Sequence, residues 1–325
     1  MSLAYDAVLI THNEDRWVAG AMESILGQTL PPQQIFVIDD GSTDGTQEVL
    51  APYAGRARIV RQDPGKGIAA ARNLGIALGR APLIAFLDGD DLWAPHKSEQ
   101  QVLEFERWPD LGLCSARSLA CNAALQPLEH QPEVTPRSGE FVFDELYLLG
   151  FPLPPSVTMA RREAFERCGG FDERMSKSQD IECWLRIAMF YRVSCLPQVL
   201  ARRRIHPASV SSRANAATVL RFDKLCFELC EEAARRFGVE LPIPAKERKV
   251  VSHLKRLKLM LEVGDFEGAR VFREELQRLG RFGLALRGDF YADMLKFRLK
   301  QLGRALYALG APGPEPVRGQ RTEAP

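Results

Sequence analysis

Three carboxylates fall within four positions at Asp88, Asp90 and Asp91, directly after the apolar run of residues 82–87. Acidic groups this close repel one another unless a cation or hydrogen-bond donors compensate. A hard divalent ion, Mg²⁺ or Mn²⁺, is a natural compensation, because it takes one or two protein carboxylates and completes its shell with phosphate oxygens and water. A second acidic pair, Asp39-Asp40, ends the apolar run 35–38 in the same way. Asp and Gly are also ordinary turn residues, so the three aspartates alone leave a polar turn and a metal site both open.

The elements that carry these residues follow from apolar spacing. Runs 7–10, 35–38, 57–61 and 82–87 are strands, and helical periodicity occupies 17–26, 46–53 and 68–78 between them. Strand–helix alternation implies parallel pairing with right-handed crossovers. Both aspartate clusters then lie on the carboxyl edge of one sheet, where ligands bind in open α/β folds. Further on come a helix at 97–108, strands at 111–116, 156–160 and 193–200, and helices at 141–149, 161–168 and 181–190, with a long loop at 122–140. From about residue 214 strands give way to amphipathic helices at 219–237, 246–263, 266–279 and 291–309, and the Pro- and Gly-rich tail has a disordered composition.

Bulk properties bound the answer. The 325 residues carry a formal charge of +1, with 46% hydrophobic and 26% charged residues, so no electrostatic bias toward nucleic acid is present. No apolar run reaches the roughly 18 residues a membrane span needs, and the N-terminus lacks signal-peptide features. The seven cysteines are scattered without zinc spacing, which suits reduced thiols in a cytoplasmic protein. No GxGxxG follows a strand, and Gly65-Lys66-Gly67 is not a P-loop. The turn Thr11-His12-Asn13-Glu14 has no glycine, against a sugar-nucleotide pyrophosphorylase.

In order, the pieces Val8-Leu9-Ile10-Thr11-His12-Asn13, Ser24-Ile25-Leu26-Gly27-Gln28-Thr29, Val37-Ile38-Asp39-Asp40-Gly41-Ser42-Thr43-Asp44, Ala71-Arg72-Asn73, Phe86-Leu87-Asp88 with Asp90-Asp91, Gly169-Gly170-Phe171-Asp172, Asp180 with Trp184-Leu185-Arg186, and Arg204 with His206 resemble family 2 glycosyltransferases. Ile10 and His12 stand where that family usually has proline and tyrosine. The resemblance implies an α/β GT-A fold, Rossmann-like, with a mostly parallel central sheet flanked by helices and a C-terminal helical extension. Residues 1–92 would form the nucleotide-sugar-binding half, 93–213 the acceptor-binding half, 214–310 the extension and 311–325 the tail.

It further implies an inverting, single-displacement enzyme. A sugar would move from a UDP- or dTDP-linked donor to an acceptor hydroxyl on a glycan or glycolipid in polysaccharide or lipopolysaccharide assembly, with Mn²⁺ or Mg²⁺. Asp90 would ligate the metal and His206 would join its shell or close over the diphosphate. Asp88 and Asp91 would hold the site and sugar, Asp40 the base, and Thr11, His12 and Asn13 the nucleoside pocket. Arg72 would reach phosphates or sugar, or else be a solvent-facing helix residue. Asp180 would be the general base, against the alternative of a helix cap. Arg202, Arg203 and Arg204 would bind phosphate or form a solvated turn. Trp93 and Trp184 are expected to pack, with Trp93 also a candidate acceptor contact. The basic C-terminal helix of residues 291–309 suits either a peripheral membrane contact at the inner face or packing on its own domain or a dimer partner. The rival reading is a degenerate member that binds a sugar nucleotide without turnover.

Overall fold

Strands covered by helices on both faces must be apolar throughout, and the first strands obey this. In the computed structural model, which describes residues 3–129, 143–149, 153–207, 215–262 and 264–280, β1 (Tyr5–Thr11) is buried along its whole length. It pairs in parallel with β2 (Gln34–Asp39) on one side and β4 (Leu83–Asp88) on the other, and β2 pairs in parallel with β3 (Arg58–Arg61). The connections carry α1 (Val18–Leu26), α2 (Thr46–Leu50) and α3 (Ile68–Leu78).

Beyond β4 the sheet is mixed. The remaining strands are β5 (Leu92–Trp93), β6 (Leu111–Cys121), β7 (Met159–Arg161) and β8 (Arg192–Arg204), and the eight run in the order β3-β2-β1-β4-β7-β6-β8-β5. β7 lies antiparallel between β4 and β6, while β6 and β8 are parallel. Strand order reverses at β1/β4, and Thr11, Asp39 and Asp88 end their strands side by side there.

Three boundaries depart from the sequence reading. β8 continues to Arg204, so Arg202–Arg204 are strand residues and not a solvated turn. β6 extends to Cys121, at the start of the expected 122–140 loop, because it pairs with β8 over its full length. A turn at Pro155–Val157 delays β7 to Met159. Helices α4 (Lys97–Arg107), α6 (Arg162–Cys168), α7 (Gln179–Ala188), α8 (Ala216–Phe237), α9 (Ala245–Glu262) and α10 (Phe266–Arg278) fall where periodicity places them, and α5 (Phe143–Leu149) begins at the first described residue of its segment. The chain divides into two compact units, Met1–Phe272 and Arg273–Pro325. The sheet and α1–α9 belong to the first. The expected helix at 291–309 and the tail lie outside the described residues. Among the described residues no helix is long and apolar enough to cross a membrane.

Candidate functional site

Two loops at the carboxyl edge are pressed together at their backbones. A Cβ on Gly65 would lie 2.4 Å from the Asp40 carbonyl oxygen, so only glycine lets the 63–67 loop approach this closely. The Asp40 carboxylate accepts from the amides of Lys66 (2.7 Å) and Gly67 (2.9 Å). Its four lone-pair sites leave capacity for a further donor. Asp39 turns the other way and accepts from Ser42 N at 2.9 Å, holding its own loop. The loop after β1 is tied to the loop after β2: Asn13 accepts from Thr43 N (2.7 Å), Asn13 N donates to Ser42 Oγ, Glu14 N to Thr46 Oγ1, and Asp15 N to Asp44 Oδ2. Asn13 is therefore occupied as a loop tie. His12 is exposed and its Nδ1 donates to the Asp40 carbonyl at 2.8 Å. Thr11 is buried, with its hydroxyl on the Glu14 carboxylate at 2.9 Å.

The three aspartates have separate surroundings. Asp88 meets Arg72 at 2.6 Å. Asp90 meets the His206 imidazole at 3.0 Å, and its carbonyl accepts from the Arg204 guanidinium. Asp91 is buried and accepts from Arg204 N at 2.8 Å, which fixes the end of β8. Burial and the neighbouring Asp88 push the Asp90 carboxyl up to about 7. Burial, with Asp90 and Asp88 beside it, also holds Asp91 well above the carboxylate range. Such a cluster favours a cation.

The Asp90 carboxylate and the imidazole of His206 present adjacent oxygen and nitrogen donors. Among the described residues no three His, Cys, Asp or Glu side chains converge to close a metal cage. An open pair of this kind suits an ion that completes its shell with diphosphate oxygens.

Arg72 is only 1% exposed, which excludes the solvent-facing alternative. One guanidinium nitrogen binds Asp88, while Nε and Nη1 are buried without a partner. Unmade hydrogen bonds of a buried charged group are costly, so Arg72 retains capacity for two further acceptors. The same charge lies beside Asp180. Burial raises the Asp180 carboxyl and Arg72 opposes the rise. Asp180 lies in the first turn of α7, but the cap position is Ser178, in a left-handed conformation. Asp180 thus lies two residues past the cap position, where the first-turn amides of Asp180 and Ile181 favour its charged form.

The site around Asp180 is held by a clamp. Arg186 binds Glu182 through two nitrogens, at 2.6 and 2.7 Å, and donates to the carbonyls of Cys168, Gly169 and Gly170. Asn73, next to Arg72, holds the same loop by donating to Phe171 O (2.9 Å) and accepting from Phe171 N (2.8 Å). Helices α3 and α7 are thus tied together through the loop 168–172. Trp184 packs as expected, bonding Leu153 O. Trp93 is also buried, with its indole N–H on Ser156 O at 2.7 Å. It therefore has no free face for an acceptor.

Sequence reasoning missed Glu14 and Trp17. Glu14 packs against the aspartate turn so closely that a Cβ on Gly89 would lie 2.2 Å from its carboxylate. Burial and Asp90 raise its pKa well above the usual carboxylate range. Its signal was the Thr-x-x-Glu spacing from Thr11, a capping-box pattern. Trp17 carried no signal beyond an aromatic at a helix start.

Residues 6–169 match the family described as Glycosyl transferase family 2. An uncharacterized glycosyltransferase of Nostoc sp. is 27% identical over 220 residues, covering 65% of this chain and 67% of that protein. A UDP-Glc:alpha-D-GlcNAc-diphosphoundecaprenol beta-1,3-glucosyltransferase of Escherichia coli is 32% identical over 96 residues, 29% of this chain and 38% of its own. Across the first curated relatives the match spans from 33% to 67% of their length. Among solved structures, S. aureus TarS 1-349 in complex with UDP-GlcNAc superposes with a TM-score of 0.60 at 15% identity, over 86% of this chain and 93% of that one. A mannosyltransferase from Pyrobaculum calidifontis in complex with GDP-Man and Mn²⁺ gives 0.56 at 18% identity, over 90% and 81%. At these identities the likeness shows a shared fold.

Proposed function

The chain belongs to glycosyl transferase family 2 and is a glycosyltransferase, and from that premise we propose that it transfers a sugar with inversion from a UDP- or dTDP-linked donor to a hydroxyl of a glycan or glycolipid acceptor. The setting is polysaccharide assembly, as the names of relatives such as the teichuronic acid glycosyltransferase of Bacillus subtilis suggest. Residues 1–92 take the donor and residues 93–213 the acceptor. The observation that carries the reading is the buried Arg72. It binds Asp88 on the donor side, lies beside Asp180 on the acceptor side, and keeps two donors unmatched between them.

The steps assigned to the chain's own residues follow from this. Asp40 accepts from the imide N–H of the base, and the loop of residues 11–13 lines the nucleoside. Arg72 donates to the diphosphate or the sugar through Nε and Nη1. Asp180 takes the proton from the acceptor hydroxyl as the anomeric carbon is attacked, and its raised pKa improves it as a base. Asp90 and His206 would hold Mn²⁺ or Mg²⁺, which supplies Lewis-acid neutralisation of the leaving diphosphate. Asp91 keeps the end of β8 in place.

The test is calorimetric titration of UDP, dTDP and GDP, with and without Mn²⁺, into wild type and Asp90→Ala. Metal-dependent UDP or dTDP binding that Asp90→Ala abolishes is the expected result. Absence of nucleotide binding to the wild type would overturn the donor site and favour the degenerate reading.

A further inference from the structure

Two residues from the end of β8 reach Asp90, and both rest on one indole. His206 bonds the Asp90 carboxylate at 3.0 Å and its ring lies 4.4 Å from that of Trp17, centroid to centroid. Arg204 bonds the Asp90 carbonyl, and its guanidinium carbon sits 5.8 Å over the same ring. His206 lies two residues past the end of β8, next to Ile205, whose amide still donates to Cys121 O of β6 at 2.8 Å. The Asp90 carboxylate and the Trp17 ring both meet the imidazole there.

Trp17 is itself placed by the nucleoside loop. It is the cap residue of α1, and its amide donates to Glu14 O at 3.0 Å. Glu14 and Asp15 are bonded through their amides to Thr46 at the start of α2 and to Asp44 of the loop before it, the loop that begins with Asp40. A continuous chain of contacts therefore runs from the base pocket through Trp17 to His206 and Asp90.

We infer that Trp17 is a positioning residue of the donor site. Its indole face holds His206 and Arg204 against Asp90, and it links closure of the nucleoside loop to assembly of the metal–diphosphate wall. The inference rests on the donor-site reading above and adds to it a residue that never touches the reacting atoms. The face of an aromatic ring favours a cationic or edge-on partner, so the smaller aliphatic side chain of leucine offers apolar contact without orienting the imidazole. Phenylalanine keeps a ring and should largely replace the indole.

The experiment uses the full chain, with UDP and Mn²⁺ as probes, and compares wild type, Trp17→Phe, Trp17→Leu, His206→Ala and the double variant Trp17→Leu/His206→Ala. UDP affinity is read with and without Mn²⁺, and the His206 imidazole resonances are recorded in the ligand-free protein. Loss of a single orienting contact is expected to weaken Mn²⁺-dependent UDP binding about tenfold in Trp17→Leu. Metal-free UDP binding should stay unchanged, and Trp17→Phe should stay close to wild type. The double variant should be no worse than His206→Ala alone, since both remove one unit. The His206 resonances should lose the ring-current shift in Trp17→Leu before any ligand is added.

Equal weakening with and without Mn²⁺, additive losses in the double variant, or unmoved His206 resonances would each overturn the positioning role while leaving the donor site standing. Failure of wild type to bind UDP under any condition would overturn the donor site and this inference together. The wild-type control thus separates the two failures.

Discussion

Arg72 and Asp180 show how one buried charge sets two properties of the site. Asp180 is raised by burial and pulled back by the Arg72 guanidinium. A carboxylate acts as base only when deprotonated, so activity should fall as pH drops through its pKa. Removing the guanidinium in Arg72→Met removes the group that favours the anion, and the acid limb of the kcat/KM profile should move to higher pH. A profile that loses amplitude without shifting would show that Arg72 acts on the donor alone. Asp180→Asn keeps shape and removes the base. Transfer is expected to fall by about 10²–10⁴, while calorimetric affinity for UDP with Mn²⁺ stays at the wild-type level. Parallel loss of UDP binding would reassign Asp180 to the donor pocket.

At the scale of elements, the loop 168–172 beside α7 depends on Arg186. Its guanidinium is largely buried, bidentate on Glu182, and shared among three loop carbonyls. Arg186→Met leaves the Glu182 charge and those carbonyls unpaired, and breaking a buried pair in this way costs about 3–5 kcal/mol. Glu182→Gln/Arg186→Met should recover part of that loss, because the stranded charge is gone. Urea unfolding of the three proteins measures both effects, and equal stability of the single and double variants would show that the carbonyls, not the ion pair, dominate. This clamp also explains what was legible in the sequence. Asp40, Asp88 and Asp90 stood out because a strand end is visible as the last residue of an apolar run, and parallel topology then places those ends together. Asp180 needed the family resemblance, since its spacing alone looks like a cap. Glu14 and Trp17 enter through a loop whose path is fixed by bonds to residues 42–46, about thirty positions away. No periodicity reports such a path. The mixed half of the sheet was hidden for a similar reason: β5 is two residues long, and β8 was cut short at its polar end although β6 continues to pair with it.

The whole molecule carries a signature of its buried ionisable groups in its stability against pH. Lys97 is fully buried between the Trp93 ring, 4.1 Å from its ammonium, and Gln101 Oε1 at 2.7 Å. Burial lowers its pKa from 10.5 to about 7. Between those values the unfolded chain holds a proton that the native chain does not, so stability rises with pH across this window. The slope for one proton is about 1.4 kcal/mol per pH unit. Buried thiols act in the opposite sense. Cys168, Cys183, Cys195 and Cys230 are raised by burial from an ordinary value of 9.0 to about 11 or 12. Above that ordinary value the unfolded chain loses thiol protons first, and stability falls. The two effects oppose each other from pH 9 upward, so the lysine contribution is isolated only by difference. Lys97→Met abolishes one titration and leaves the thiols alone. It also strands Gln101 Oε1, a cost of about 1–3 kcal/mol that does not vary with pH. The stability of wild type relative to Lys97→Met should therefore climb by about 1.4 kcal/mol per pH unit between pH 7.5 and 9.5, whatever its absolute sign. Denaturant midpoints measured at half-unit steps test this. A flat difference would mean that Lys97 stays charged in the native core, held by Trp93 and Gln101 against the full desolvation of its ammonium.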